Sequence, residues 1–385
     1  MELFKAHDQW MTRPSDERFA TLKDMYAATN AYRTVAREAV VKQGDLQVVP
    51  SDAGLALVGK EGKPAVMTHW AFGQVCNRLA APPDYLRTLS PDLAAANLNY
   101  CIKDDQMDDA EIALLLHDND GAFVARAFTS TKYTRIWNSE VVERLMALPK
   151  DWRVPPARPA RPGQPGTRPA VRADVVAAGK WGLSIKVGDP IAPAGLYGSD
   201  HDMFAFMVNE DRRIKDGSKE GLARGFFVWN SEVGASSFGI TTFLYKWVCG
   251  NHIVWGASHV TETRIRHVGK AGSKAFGELE AEVIKYSDQS ASDDEARIRQ
   301  ARKFRLGDDK EKVLDAVFKF GIAGLSKTTI GAAYETAEQF TDTYGDPRTV
   351  WGMVNGITHY SQESAFADSR TLLDRAAGRL LQAAF

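Results

Sequence analysis

Arginine and lysine set the first chemical question. From Val154 to Pro169 the chain reads VPPARPARPGQPGTRP, without an acidic residue, and Arg153, Arg158, Arg161, Arg168 and Arg172 lie in or beside it. Guanidinium groups on a proline-stiffened, extended stretch suit contact with a phosphate backbone, at little sequence preference. Arg264, Arg266, Lys270 and Lys274 form a second basic group. Along a strand over 260–267, alternation puts Glu262, Arg264 and Arg266 on one face, where a pair of arginines can hold phosphate. A third group is Arg297, Arg299, Arg302, Lys303 and Arg305. Acids precede it at Asp288, Asp293, Asp294 and Glu295, an order that also simply complements a helix dipole.

Bond-making chemistry has thinner support. Asp104, Asp105, Asp108, Asp109 and Glu111 form an acidic cluster, and magnesium needs only one or two carboxylates plus phosphate oxygens. The cluster lacks a spaced partner motif. His252, His259 and His267 match neither a helical HxxxH nor a finger spacing. GxxxxGK[ST], GxSxG and a strand-to-helix GxGxxG are missing from the sequence, so a P-loop, α/β-hydrolase or dinucleotide reading has no motif behind it. Neither a catalytic residue nor a metal or cofactor is expected. Aromatic residues Phe226, Phe227 and Trp229 beside Arg224, and Tyr245 and Trp247 around Lys246, are candidates for base stacking or for core packing. Leu314–Phe320, a glycine turn at Gly321–Gly324 and Leu325–Tyr334 read either as a helix-turn-helix or as a plain αα-hairpin, with Ser326 capping the second helix.

The elements that must carry these residues follow from periodicity. A helix is expected from Ser15 to about Val40, because Phe19, Leu22, Met25 and Tyr26 recur at helical spacing. Short strands follow at 46–49 and 55–58, then helices at 70–79 and 90–102. A hairpin of 111–117 and 122–129 turns at Asp118-Asn119-Asp120-Gly121, and a helix follows at 138–148. After the proline-rich break come strands near 181–187, 203–208, 225–229, 238–247, 253–255 and 260–267. Helical spacing then runs to the C-terminal end. This order predicts an α+β fold: a central, mostly antiparallel sheet flanked by helices, with a helical C-terminal region. The expected organisation is an N-terminal α+β region (1–150), a Pro/Arg-rich linker or loop (151–172), a strand-rich core (173–270) and a helical C-terminal region (271–385).

The 385 residues carry 48 Lys+Arg against 49 Asp+Glu, for a formal net charge of -1. That balance argues against a uniformly basic nucleic-acid coat and leaves room for a local patch. Hydrophobic residues at 44% and charged residues at 25% are globular values, against a disordered chain. Cys76, Cys101 and Cys249 are an odd count without CxxC, which fits reduced, buried thiols better than a disulfide framework. The N-terminal residues hold no apolar leader, and no apolar run reaches the roughly 18–20 residues of a membrane span. A cytoplasmic protein without membrane contact is expected.

From Gly225 onward, GFFVWNSEVGASSFGITTFLYKWVCGNHIVWG resembles the signature of a phage/plasmid-like protein family, the domain of unknown function 932. The similar positions are the turn Asn230-Ser231-Glu232-Val233-Gly234 and the segment Val248-Cys249-Gly250-Asn251-His252. They continue through Ser130-Thr131-Lys132-Tyr133 with Ile136, and Trp351-Gly352 with Asn355, Thr358 and Tyr360. His252 stands where the family pattern has glycine. The resemblance implies a protein of phages, prophages or plasmids, encoded near recombination and anti-restriction genes, with no established reaction.

Residues and resemblance together predict a nucleic-acid-binding protein of a mobile element. It would bind single-stranded DNA and promote annealing in recombination or replication, as a homo-oligomeric ring or filament. The expected contacts are Arg158, Arg161, Arg168, Arg172, Arg264, Arg266, Lys270 and Lys274. The motif residues Asn230, Ser231, Gly234, Cys249, Asn251, Trp351 and Asn355 are expected to act first through structure. Two other readings stand beside this one: a metal-dependent nuclease using the Asp104–Glu111 acids, and a defence or anti-defence protein that binds a host protein.

Overall fold

The computed structural model describes residues 18–19, 21–52, 54–60, 62–104, 109–119, 121–154, 196–199, 201–218, 221–246, 251–253, 263–361 and 367–384. The first described elements are β1 (Arg18–Phe19) and α1 (Leu22–Thr34), followed by β2 (Ala36–Lys42), β3 (Gln47–Ser51), β4 (Gly54–Val58) and β5 (Ala65–Met67). Next come α2 (His69–Arg78), α3 (Pro83–Leu86), α4 (Pro91–Asp104), β6 (Glu111–Asn119) and β7 (Ala122–Ser130). Then α5 (Asn138–Met146), β8 (Trp152–Arg153), β9 (Leu196–Gly198), β10 (Met203–Ile214), β11 (Leu222–Asn230), β12 (Phe238–Lys246), β13 (Asn251–Ile253) and β14 (Thr263–Ile265). The C-terminal helices are α6 (Ala271–Asp288), α7 (Ala291–Lys303), α8 (Lys310–Lys319), α9 (Lys327–Gln339), α10 (Thr341–Tyr344), α11 (Val350–Ser361) and α12 (Ala367–Ala383).

The fold is α+β, as expected, but two sheets replace the single central one. The first has the order β2-β6-β7-β5-β4-β3 and is antiparallel except where β5 meets β7. Helices α2 and α4 cover one of its faces, burying Phe72, Val75, Leu98, Ile112 and Leu114. The second has the order β1-β9-β10-β11-β12-β13, with β8 beside β10 and β14 beside β12. Met203, Ala205, Met207, Phe226, Val228 and Ile240 line one face of it, against α1, α5 and α6. So β1 and α1, before the first sheet, and α5 and β8, after it, all serve the second sheet. The C-terminal helices close around α11, whose residues are buried except for half-buried Tyr360.

The expected helix to Val40 is corrected. Thr21 caps α1, its Oγ1 accepting from the Asp24 N–H at 3.1 Å, and the helix ends at Thr34. Val35, Val40 and Val41 favour extended backbone, and Ala36–Lys42 finds an antiparallel partner in β6. The expected strand at 181–187 lies outside the described residues, as do residues 260–262 of the last expected strand; the rest of that strand is short, Thr263–Ile265.

The opposite face of the second sheet is aromatic. Tyr197, Phe204, Phe227, Trp229 and Phe243 are buried and stack on one another, with ring centroids of Phe204 and Phe227 5.3 Å apart. Two glycines make room for them. Gly239 lies directly across from Trp229, and Gly225 across from Phe243. A Cβ on Gly239 would come within 2.0 Å of the indole, and one on Gly225 within 2.4 Å of the Phe243 ring.

Candidate functional site

The turn between β11 and β12 is the most densely bonded polar centre described. It does not project as an exposed hairpin tip. It enters the junction of the two sheets, where Asn230, Ser231 and Glu232 are all buried. Asn230 Nδ2 donates to the Ile136 carbonyl and to Asn138 Oδ1, both at 2.8 Å. Ser231 Oγ donates to the His201 carbonyl at 2.6 Å and accepts from the Ala235 N–H at 2.9 Å. Gly234 follows at φ +82°, a left-handed conformation that favours glycine.

Glu232 is the charge at this centre. Its carboxylate meets the Arg126 guanidinium at 3.1 Å and accepts the Asn138 N–H at 2.8 Å. Burial pushes the Glu232 carboxyl up, while Arg126, the Asn138 amide and Arg135 pull it down. Arg126 Nη1 also lies 2.8 Å from His117 Nε2, so that nitrogen accepts. Tyr32 stacks on His117 and lies under the Arg126 guanidinium. The turn's carbonyls are held as well. Tyr133 donates its hydroxyl to the Ser231 carbonyl at 2.8 Å, Arg135 donates to that of Glu232, and Trp70 Nε1 and Gln74 Nε2 donate to that of Val233. The turn's three carbonyls and the side chains of Ser231 and Glu232 are all bonded to protein, and only Asn230 Oδ1 among its buried side-chain atoms lacks a partner among the described residues, so the arrangement is a lock between sheets. A phosphate cradle would need free N–H groups.

The other family positions are structural where they are described. Trp351 is fully buried, and Asn355 Nδ2 donates back to the Trp351 carbonyl at 2.8 Å. His359 Nδ1 meets the Tyr344 hydroxyl at 2.8 Å. Gly356 lets α9 approach, because a Cβ there would sit 2.3 Å from the Ala333 carbonyl oxygen. Cys249 lies outside the described residues, and Asn251 is described only as backbone, in β13. Cys76 is buried in the first sheet's core, which pushes its thiol up to about 11, the state of an inert thiol.

The basic residues divide. Arg158, Arg161, Arg168 and Arg172 lie outside the described residues. Arg264, Arg266, Lys270 and Lys274 are all exposed, while Ile265, His267, Ala271 and Ala275 between them are buried. This segment runs antiparallel to 131–134: Tyr133 bridges Val268, and the Thr134 N–H donates to the His267 carbonyl at 2.8 Å. Exposed Lys132 is thereby brought beside it. Only non-local pairing places Lys132 there, so sequence spacing offers no signal for it. Among the described residues, Lys132, Arg266, Lys270 and Lys274 form no ion pair.

Other sequence candidates resolve into packing. Phe226, Phe227 and Trp229 are buried, so they offer no stacking surface. In α7, Asp294 turns inward to pair with Arg224 at 3.0 Å and Arg302 donates to the Asp216 carbonyl at 2.7 Å, leaving Arg299 and Lys303 exposed. In the αα-hairpin, Ser326 caps α9, and Lys327 is tied back to Asp315 at 2.7 Å. His267 is buried against Tyr133, with ring centroids 4.9 Å apart. Residues 105–108 and His259 lie outside the described residues, and Asp109 pairs with Lys42 at 2.7 Å. Among the described residues, no three His, Cys, Asp or Glu side chains are grouped to hold a metal ion. No described helix is long and apolar enough to cross a membrane.

No curated protein and no solved structure matches the chain. The family model for DUF932, a domain of unknown function, matches residues 185–384. That span takes in the buried turn at Asn230–Gly234, the second sheet from β9 onward and the helices around Trp351 and Asn355, and the chain belongs to the DUF932 family.

Proposed function

We propose that this protein binds nucleic acid, single-stranded DNA first, and promotes strand annealing in recombination or replication of a mobile element. The observation that carries the reading is the exposed ridge of Lys132, Arg264, Arg266, Lys270 and Lys274. Cations of one sign along a strand edge and the start of a helix are suited to track a phosphate backbone. The near-neutral whole-chain charge confines attraction to such a ridge instead of spreading it over the surface. With the aromatic face buried, affinity would come mainly from phosphate contacts. Little sequence preference and a steep salt dependence follow.

The test is fluorescence anisotropy of labelled single- and double-stranded DNA against nuclease-treated protein across a salt series. Salt-sensitive binding that favours single strands is the expected result. Absence of binding at low salt removes this reading and moves the weight to a host-protein partner.

A further inference from the structure

The two borders of the first sheet differ. At β3, Asn99 of α4 blocks the edge: its Oδ1 accepts the Val48 N–H at 2.8 Å and its Nδ2 donates to the Val48 carbonyl at 2.7 Å. The next outward-facing residue of that strand is Pro50, which has no N–H.

At β2 the edge is open among the described residues. The Val35 carbonyl accepts from the Asp118 N–H and the Gln43 N–H donates to the Ala110 carbonyl. Residues of odd number therefore bond to β6, and by antiparallel alternation Ala36, Glu38, Val40 and Lys42 direct their main-chain groups outward. Those of Ala36, Glu38 and Val40 have no partner among the described residues. Val40 is 60% exposed. An unpaired strand of this length with an apolar residue at its centre is a template for another strand.

We infer that β2 pairs antiparallel with β2 of a second copy, on a two-fold axis through Val40. The register is set by chemistry. Even residues must lie opposite even residues, so the axis can pass through an even residue or through the odd residue between two of them. An axis at Ala39 sets Glu38 against Val40 and Ala36 against Lys42, and one at Val41 sets Val40 against Lys42, so neither sets opposite charges against each other. An axis at Glu38 sets Glu38 against itself, and an axis at Lys42 sets like charges opposite. An axis at Val40 sets Val40 against Val40 and each Glu38 against the other copy's Lys42. Within one copy Glu38 reaches Arg135, whose side chain is 5% exposed, at 2.6 Å, and Lys42 reaches exposed Asp109 at 2.7 Å; Glu38 and Lys42 themselves are 58% and 56% exposed, which leaves each a solvent-facing side for the other copy.

Light scattering on nucleic-acid-free protein, over a wide concentration range, tests this separately from DNA binding. Wild-type protein should have twice the chain mass. Val40→Pro removes an N–H that faces outward, so the fold should survive with an unchanged circular dichroism spectrum and the mass should halve. Glu38→Lys and Lys42→Glu should each weaken the pair, and the double exchange should restore it. Three outcomes overturn the inference: a wild-type monomer throughout, an assembly whose mass Val40→Pro leaves unchanged, or a monomer whose Ala36, Glu38 and Val40 amides are protected from exchange by another part of the chain.

Discussion

Glu232 and Arg126 face each other at 3.1 Å where the two sheets meet, each about 1% exposed at its side chain. Neither charge has access to water, and each depends on the other and on nearby dipoles. Removing one partner leaves the other buried and uncompensated, at a cost of about 3–5 kcal/mol, whereas replacing both with apolar groups of similar volume is close to neutral. Glu232→Ala should lower urea-unfolding stability by that amount, and Arg126→Met with Glu232→Leu should recover most of it. A loss below about 1 kcal/mol for the single variant would show that the pair is not what closes the junction.

His267 predicts a pH dependence. Burial pushes its imidazole down to about 4, while the Thr134 carbonyl opposes this. The folded protein thus prefers the neutral ring. The unfolded chain binds the proton first, so this stabilisation is complete above the ordinary pKa near 6.5 and is lost as pH falls from about 6.5 to about 4. The loss amounts to about 3 kcal/mol at most. Glu232 and Asp294, whose carboxyls burial pushes up, act in the opposite sense, so the measurement is the difference between wild type and His267→Phe. An identical pH slope in the two proteins would be evidence against the assignment.

Gly239 and Gly225 should tolerate no side chain. Their missing Cβ atoms are the space occupied by the Trp229 and Phe243 rings. Gly239→Ala should cost about 1–3 kcal/mol through overpacking and alter the near-ultraviolet circular dichroism of the aromatic layer. Gly272→Ala, in open space on α6, is the control expected to be neutral or stabilising.

For DNA binding, Lys270→Ala and Lys274→Ala should weaken affinity similarly for all sequences. Each should reduce the slope of log affinity against log salt by about one. Gain or loss of sequence preference instead would point to base contacts, which the ridge does not provide for.

Local signals made many elements legible. The Asp118–Gly121 turn, Ser326 as a cap, and the 3.6-residue spacing after Lys270 all act over a few residues and need no tertiary partner. Val35 shows the limit. Apolar spacing continues past it, and only the presence of β6 makes Ala36–Lys42 a strand. Glu232 shows the same limit at the site. In the sequence it is a polar residue within a turn; its buried partner Arg126 is 106 positions earlier. Lys132 joins the basic ridge by the same kind of non-local pairing.

The Asn99 amide that closes β3 also limits assembly. A sheet open at both borders can add copies indefinitely, giving a filament. One open at a single border exhausts its capacity in the first encounter. A two-fold contact at β2 would leave only Asn99-sealed borders outward, so this sheet would contribute a closed pair and never a fibre.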